Sequence, residues 1–286
     1  FGNAGIELTT RNALVLLETA GRTDIPVAQG CETPIGMGIA EWQAITSSWP
    51  KSGGVHGANG LGDVLLPEPK VKPIDLDAVD LILQTIRQHP GEVVLVALGR
   101  LTNLAAAIIK DRATMEKLAG ISLMGGTVRA PGNSSAVSEA NIHGDALAAD
   151  LVMTLDVPKV MVGLDVTMQV IISEDDTERL SSYGSPQADL LVAVSRHYDA
   201  FYRKRNPHLG GFSVHDVVAF AYLLKPSLFT TEHAYVRVET TGRFTKGQTV
   251  ADLRAYAKNA CNCIVCLDVD GRAVVEDFHE TIRASR

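Results

Sequence analysis

Short aliphatic runs that close on glycine or a polar residue alternate along this chain with stretches of helical periodicity. The runs are IPVAQG at 25–30, EVVLVALG at 92–99, ISLMGG at 121–126 and KVMVGLDVT at 159–167. A run that is apolar throughout, rather than at every second residue, suits a parallel strand covered on both faces. Between these runs, LDAVDLILQTIRQH at 76–89 places apolar residues at 79, 82, 83 and 86, one face of a helix. LTNLAAAIIKD at 101–111 and DALAADLVMTL at 145–155 also read as helices. The order strand, helix, strand, helix predicts an α/β fold, a Rossmann-like, open, mostly parallel sheet flanked by helices and joined by right-handed crossovers. YVRVETTG and NCIVCLDVD, at 235–242 and 262–270, read as strands of a hairpin or edge meander, a small C-terminal β portion. With no long linker, low-complexity tract or internal repeat, a single domain over 1–286 is expected.

A chain of 286 residues, 46% of them hydrophobic, can bury its core without disulfide staples. The formal charge of -7 comes from interspersed acids and bases. Nucleic acid is therefore not expected as a partner, since phosphate backbones are held by clustered Lys and Arg; RKRNPH at 203–208 is too short a patch to change this. No apolar run approaches the ~20 residues of a membrane span, so no membrane partner is expected either. Cys261, Cys263 and Cys266 overlap as CxC and CxxC in a strand-like segment, which is not the pair of separated ligand pairs a zinc site uses. Together with Cys31 they read as buried or half-buried free thiols, pointing to a reducing, cytoplasmic setting.

In open α/β sheets ligands collect beyond the carboxyl ends of the strands. Leu98 is the last apolar residue before Gly99, so its carbonyl can lie past the ladder; the plainer reading is an ordinary turn into a helix at Thr102 or Asn103. After ISLMGG comes a connection, 127–145, far longer than the ~2 to 6 residues usual for such a link. It carries Asn133, Glu139, Asn141 and Asp145. Amides and carboxylates in one loop suit a polyhydroxyl ligand, which offers donors and acceptors together; Asp145 reads better as the cap of the next helix. The glycine-rich stretch from Trp42 to Asp63, with His56, fits a mobile lid rather than a dinucleotide fingerprint. His215 and Asp216 stand together at the head of the apolar run VVAFAYLL. A helix-capping role would account for Asp216 but leaves His215 unexplained. GxSxG, GxxxxGK[ST] and HExxH are all missing, so serine hydrolases, P-loop enzymes and zinc proteases lose their main support.

VHGANGLGD, LVALGRLTNLA, SLMGGTVRAPGNSSAVSEANIHGD, VGLDVT and SVHDVVAF together resemble, in this order, the inosine–uridine-preferring nucleoside hydrolases. The resemblance runs over essentially the whole chain. It implies the nucleoside hydrolase fold and a Ca²⁺-dependent hydrolysis of the N-glycosidic bond of ribonucleosides to free base and ribose, in nucleoside salvage. It implies that Asp216 and the Leu98 carbonyl bind Ca²⁺, that Asn133, Glu139 and Asn141 hold the ribose hydroxyls, and that His215 and His56 lie beside the leaving base. It also implies a homodimer or homotetramer. Both histidines together fit members that accept pyrimidine or mixed nucleosides.

One departure matters. The family's Asp-x-Asp-Pro-Gly-x-Asp-Asp signature, which supplies two calcium carboxylates, the water-activating base and a ribose contact, is absent from these residues. The chain opens on Phe1, not Met, and the expectation is that residues preceding Phe1 carry the motif together with a strand near the middle of the sheet. The competing reading is a catalytically inactive nucleoside-binding or scaffold homologue. A smaller departure is Met168, where some members carry His.

Overall fold

The computed structural model describes residues 1–47 and 54–285. Its strands are β1 (Val94–Ala97), β2 (Gly120–Met124), β3 (Lys159–Val162), β4 (Ile171–Ser173), β5 (Gly211–Ser213), β6 (Phe229–Val238), β7 (Thr249–Asp252) and β8 (Cys263–Val269). Its α-helices are α1 (Ile6–Thr19), α2 (Ile39–Thr46), α3 (Ala78–Gln88), α4 (Thr102–Met115), α5 (Ala140–Gly144), α6 (Ala146–Met153), α7 (Leu164–Thr167), α8 (Glu174–Ser181), α9 (Pro186–Arg205), α10 (His215–Leu224) and α11 (Gly271–Ala284). The main sheet has the order β1-β2-β3-β8-β6-β7. β1, β2, β3 and β8 are parallel, β6 runs antiparallel to β8, and β7 antiparallel to β6. β4 and β5 form a separate antiparallel pair.

The two faces of the sheet follow from the period of two along each strand. Ile121 and Leu123 of β2, with Met161 and Val265, pack beneath Leu83 and Ile86 of α3, Ala105 and Ile108 of α4 and Val152 of α6. The intervening positions, Met124, Val160, Val162 and Cys266, face Val218 and Ala219 of α10 and Val274 and Val275 of α11. Ser122 points the same way and donates to Ala219 O at 3.0 Å, which satisfies the polar group in the core. β2 is buried at every position, as its unbroken apolar pattern requires.

Helix starts are set by local chemistry. Asp77 caps α3 through Val79 N at 2.7 Å. Ser185 caps α9, followed by Pro186 where a missing N–H costs nothing. Asp145 caps α6 through Ala148 N at 3.1 Å, as expected, and also accepts from Ile35 N at 2.9 Å and Thr102 Oγ1 at 2.7 Å. It thereby ties three segments at one buried carboxylate.

Four expectations need correction. Residues 25–30 are not a strand: Val27 O and Gln29 O accept from Ile74 N and Ala78 N, the approach to α3, and no ladder forms among the described residues. β3 stops at Val162, because Gly163 starts a single helical turn, α7. β8 is not an edge or hairpin strand; it lies inside the sheet, parallel to β3. Cys261 is exposed, since it precedes the first residue of β8, whereas Cys263 and Cys266 are buried and their thiols are pushed up to about 12 by desolvation. No helix among the described residues is long and apolar enough to cross a membrane.

Candidate active site

The carboxyl ends of β1, β2 and β3 open onto one face, and the loops that leave them converge there. Leu98 immediately follows β1, and its carbonyl lies within 3.4 Å of Asn141 Nδ2. The same Nδ2 donates to Met124 O, at the end of β2, at 3.1 Å. Asn141 thus bridges two strand ends with its NH₂ group, and its Oδ1 is the end of the amide not committed to those carbonyls.

Glu139 caps α5. Its Oε1 accepts from Asn141 N at 2.8 Å, and its Oε2 from Ile142 N and Gly126 N, both at 3.1 Å. The residue is only 2% exposed. Burial raises its pKa, opposed by those backbone N–H groups, and the nearby Asp216 raises it further. Asn133 is exposed and its Oδ1 accepts from Ala140 N at 2.9 Å, closing the loop onto the start of α5.

Asp216 does not cap its helix: the residue before α10 is Val214, with no side-chain cap. The Asp216 side chain is exposed to solvent, yet the protein around it pushes its carboxyl up to about 6 by desolvation. His215, beside it, is held at both ring nitrogens. Nδ1 lies 2.7 Å from Thr167 Oγ1 and Nε2 lies 2.8 Å from Tyr202 Oη. Desolvation, then the neighbouring His56, push His215 down to about 4, so the imidazole is neutral at neutral pH.

His56 stacks on Tyr198 with ring centroids 5.8 Å apart, and its Nε2 lies 3.0 Å from Asn3 Nδ2. Desolvation and His197 lower its pKa. The loop that carries it is pinned on two sides. Asn12 Nδ2 donates to Asn59 O at 2.8 Å, and His197 Nε2 meets Gly54 O at 3.1 Å. Gly62, at φ +64°, lies so close to α9 that a Cβ would sit 2.8 Å from Val194 O. Residues 48–53 of the expected lid lie outside the described residues.

Three residues escaped the sequence reading. Tyr198 and Tyr202 stand four apart on α9, and the Tyr198 hydroxyl donates to Tyr202 Oη at 3.4 Å. Their spacing is the signal, one face of a helix, but nothing in the sequence says that this face meets His215. Asp165 accepts from Val128 N, Arg129 N and Ala130 N at 2.7, 2.6 and 2.9 Å, fixing the start of the long loop. VGLDVT points to it as a strand end but not to this role.

A calcium ion takes six to eight oxygen ligands. Asp216 and the Leu98 carbonyl offer two positions, and among the described residues no cluster of three or more His, Cys, Asp or Glu could hold an ion. These residues alone do not complete a calcium site.

A polar loop beside an aromatic and imidazole wall, at the carboxyl ends of a parallel sheet, lies where α/β proteins collect small-molecule ligands. Residues 1–276 match the family model described as inosine-uridine preferring nucleoside hydrolase. The chain is 38% identical to uridine nucleosidase 1 of Arabidopsis thaliana, over 92% of this chain and 75% of that protein. It is 35% identical to the pyrimidine-specific ribonucleoside hydrolase RihA of Citrobacter koseri, over 98% and 86% respectively. The solved purine-preferring ribonucleoside hydrolase from Gardnerella vaginalis superposes with a TM-score of 0.90 at 30% identity, covering 100% of this chain and 88% of that one. The chain belongs to the inosine-uridine preferring nucleoside hydrolase family and is an N-glycosyl hydrolase.

Proposed function

We propose that this site hydrolyses the N-glycosidic bond of ribonucleosides of the uridine and inosine type, releasing free base and ribose for nucleoside salvage. The observation that supports it most is the junction at α10. Asp216 and the Glu139–Asn141 loop form a polar side suited to ribose, while His215, Tyr202, Tyr198 and His56 form an adjoining side suited to a base.

In hydrolysis the C1′–N bond breaks, its electron pair leaves with the base, and the base takes up a proton as water adds to C1′. Tyr198 donates to Tyr202, and with Thr167 Oγ1 donating to Nδ1 of His215, Nε2–H of His215 also donates to Tyr202 Oη. Tyr202 is then free to give its own proton to the departing base, help worth about 10² to 10⁴ in rate. Glu139 and Asn141, held rigidly by backbone bonds, orient the ribose without reorganising as charge develops. Asn133 would add its amide from the same loop.

Calcium is the ion this reading assigns, with Asp216 and the Leu98 carbonyl among its ligands, and it would supply electrostatic hold on the ribose diol. Asp216 and the Leu98 carbonyl alone do not fill its six to eight ligand positions. A homodimer or homotetramer in the cytoplasm completes the reading, and light scattering tests the assembly. The test of function is release of ribose from uridine and from inosine by the native protein; no release from either rejects it.

A further inference from the structure

The long loop between β2 and α5 is tied at both ends to a distant part of the chain, the turn joining β6 to β7. At its start, Thr249 Oγ1 accepts from Thr127 N at 2.9 Å and donates to Thr127 O. At its end, His143 Nδ1 lies 3.0 Å from Lys246 O and 3.0 Å from Ser138 Oγ. A carbonyl at that distance can only accept, so Nδ1 carries the proton there. Gly247, at φ +80°, presses on the same residue: a Cβ would sit 2.7 Å from His143 Cα. The turn itself is stiffened by Glu239, whose Oε1 accepts from Thr241 N and Gly242 N at 2.8 and 2.9 Å.

Ser138 connects this tie to the loop's interior. Its hydroxyl is 2.6 Å from Ser135 Oγ, and its carbonyl accepts from Ser134 N at 3.1 Å. One residue further lies Glu139, and two residues before His143 lies Asn141. We propose that the β6–β7 turn is a brace for the substrate loop, with His143 as its positioning residue, holding Glu139 and Asn141 in register for the ribose without touching substrate itself. The proposal rests on the nucleoside hydrolase reading of that loop. Of the donors that replace His143, Asn retains an N–H near the Nδ1 position, whereas Leu removes it.

The test compares His143→Leu and His143→Asn with the native protein in two measurements. Amide hydrogen exchange over residues 132–143 reads the brace without any reference to activity. His143→Leu is expected to speed exchange there by about 10-fold or more, and His143→Asn to restore it within about threefold. Uridine kcat/KM is expected to fall by about 10-fold or more in His143→Leu and to recover within about threefold in His143→Asn, with melting temperatures within about 3 °C of the native protein. Should His143→Leu fail to fold, Thr249→Val removes the tie at the other end of the loop and carries the same expectation. Unchanged exchange over 132–143 in both His143→Leu and Thr249→Val overturns the brace. So does His143→Asn behaving no better than His143→Leu. If the native protein releases no ribose, the functional reading fails, and the exchange measurement still decides the brace.

Discussion

At the scale of single residues, the adjacency of His215 and Asp216 was the most legible feature, because a helix start explains only one of them. The structure removes even that explanation, since Asp216 caps nothing and His215 is held between Thr167 and Tyr202. Tyr202 was not legible because its partner, His215, lies on another helix, and nothing in the sequence says that the two helices meet there. Replacing it, Tyr202→Phe, is expected to lower kcat about 10- to 100-fold with little change in KM, because the lost group acts in proton transfer rather than in ground-state binding. Steady-state kinetics with uridine checks this, and an unchanged kcat would remove Tyr202 from the proton path. Asp145 was legible as a cap, but its other two partners were not, since Ile35 and Thr102 lie far away in sequence. Asp145→Ala should therefore cost more than a cap alone, about 2 to 4 kcal/mol by denaturant unfolding.

Among the elements, the parallel strands β1, β2 and β3 and helices α3, α4 and α6 were legible because their periodicity matches their burial. What failed was partner choice. A segment such as 25–30 has strand composition but becomes a strand only beside a ladder, and β8 reads the same whether it ends a hairpin or sits inside a sheet. The His56 loop belongs to this scale, since α9 fixes its position. His197→Ala removes the contact to Gly54 O, and KM for uridine should rise about 3- to 10-fold; His197→Gln, which keeps an N–H at about the Nε2 position, should restore it. A second element-scale prediction concerns the junction of α8 with α11. Burial opposes ionisation of Asp176, but hydrogen bonds from Ser173 and Arg272 outweigh it and lower the carboxyl's pKa. Desolvation, then Arg179, lowers the pKa of His279, which is 0% exposed and faces Asp176 across 3.4 Å. The unfolded chain therefore takes up protons first at both sites. Stability should fall as pH drops below the ordinary histidine value of 6.5, and again below the ordinary aspartate value of 3.8 as Asp176 is titrated. Thermal melts across pH check this: His279→Gln should flatten the upper part of the decline and Asp176→Asn the lower.

For the molecule as a whole, the sheet sets the chemistry by where its strands end. Two helical layers cover it, one built on Leu83, Ile108 and Val152 and the other on Val218 and Val274, so the loops beyond β1, β2 and β3 have a rigid floor. The α/β class was legible because buried parallel strands leave a composition that few other arrangements share. The loop at 127–145 was legible as a candidate site because its length has no structural need. Its brace by the β6–β7 turn was not, because contacts across more than a hundred residues leave no local pattern. Cleavage of ribonucleosides by the groups beyond these strand ends is the function proposed for the molecule. The most direct measurement is free ribose formed per uridine consumed by the native protein, alongside Glu139→Gln. One ribose and one uracil are expected for each uridine, with the variant reduced by about 100-fold or more; uridine that binds tightly and is recovered intact would contradict cleavage at this site.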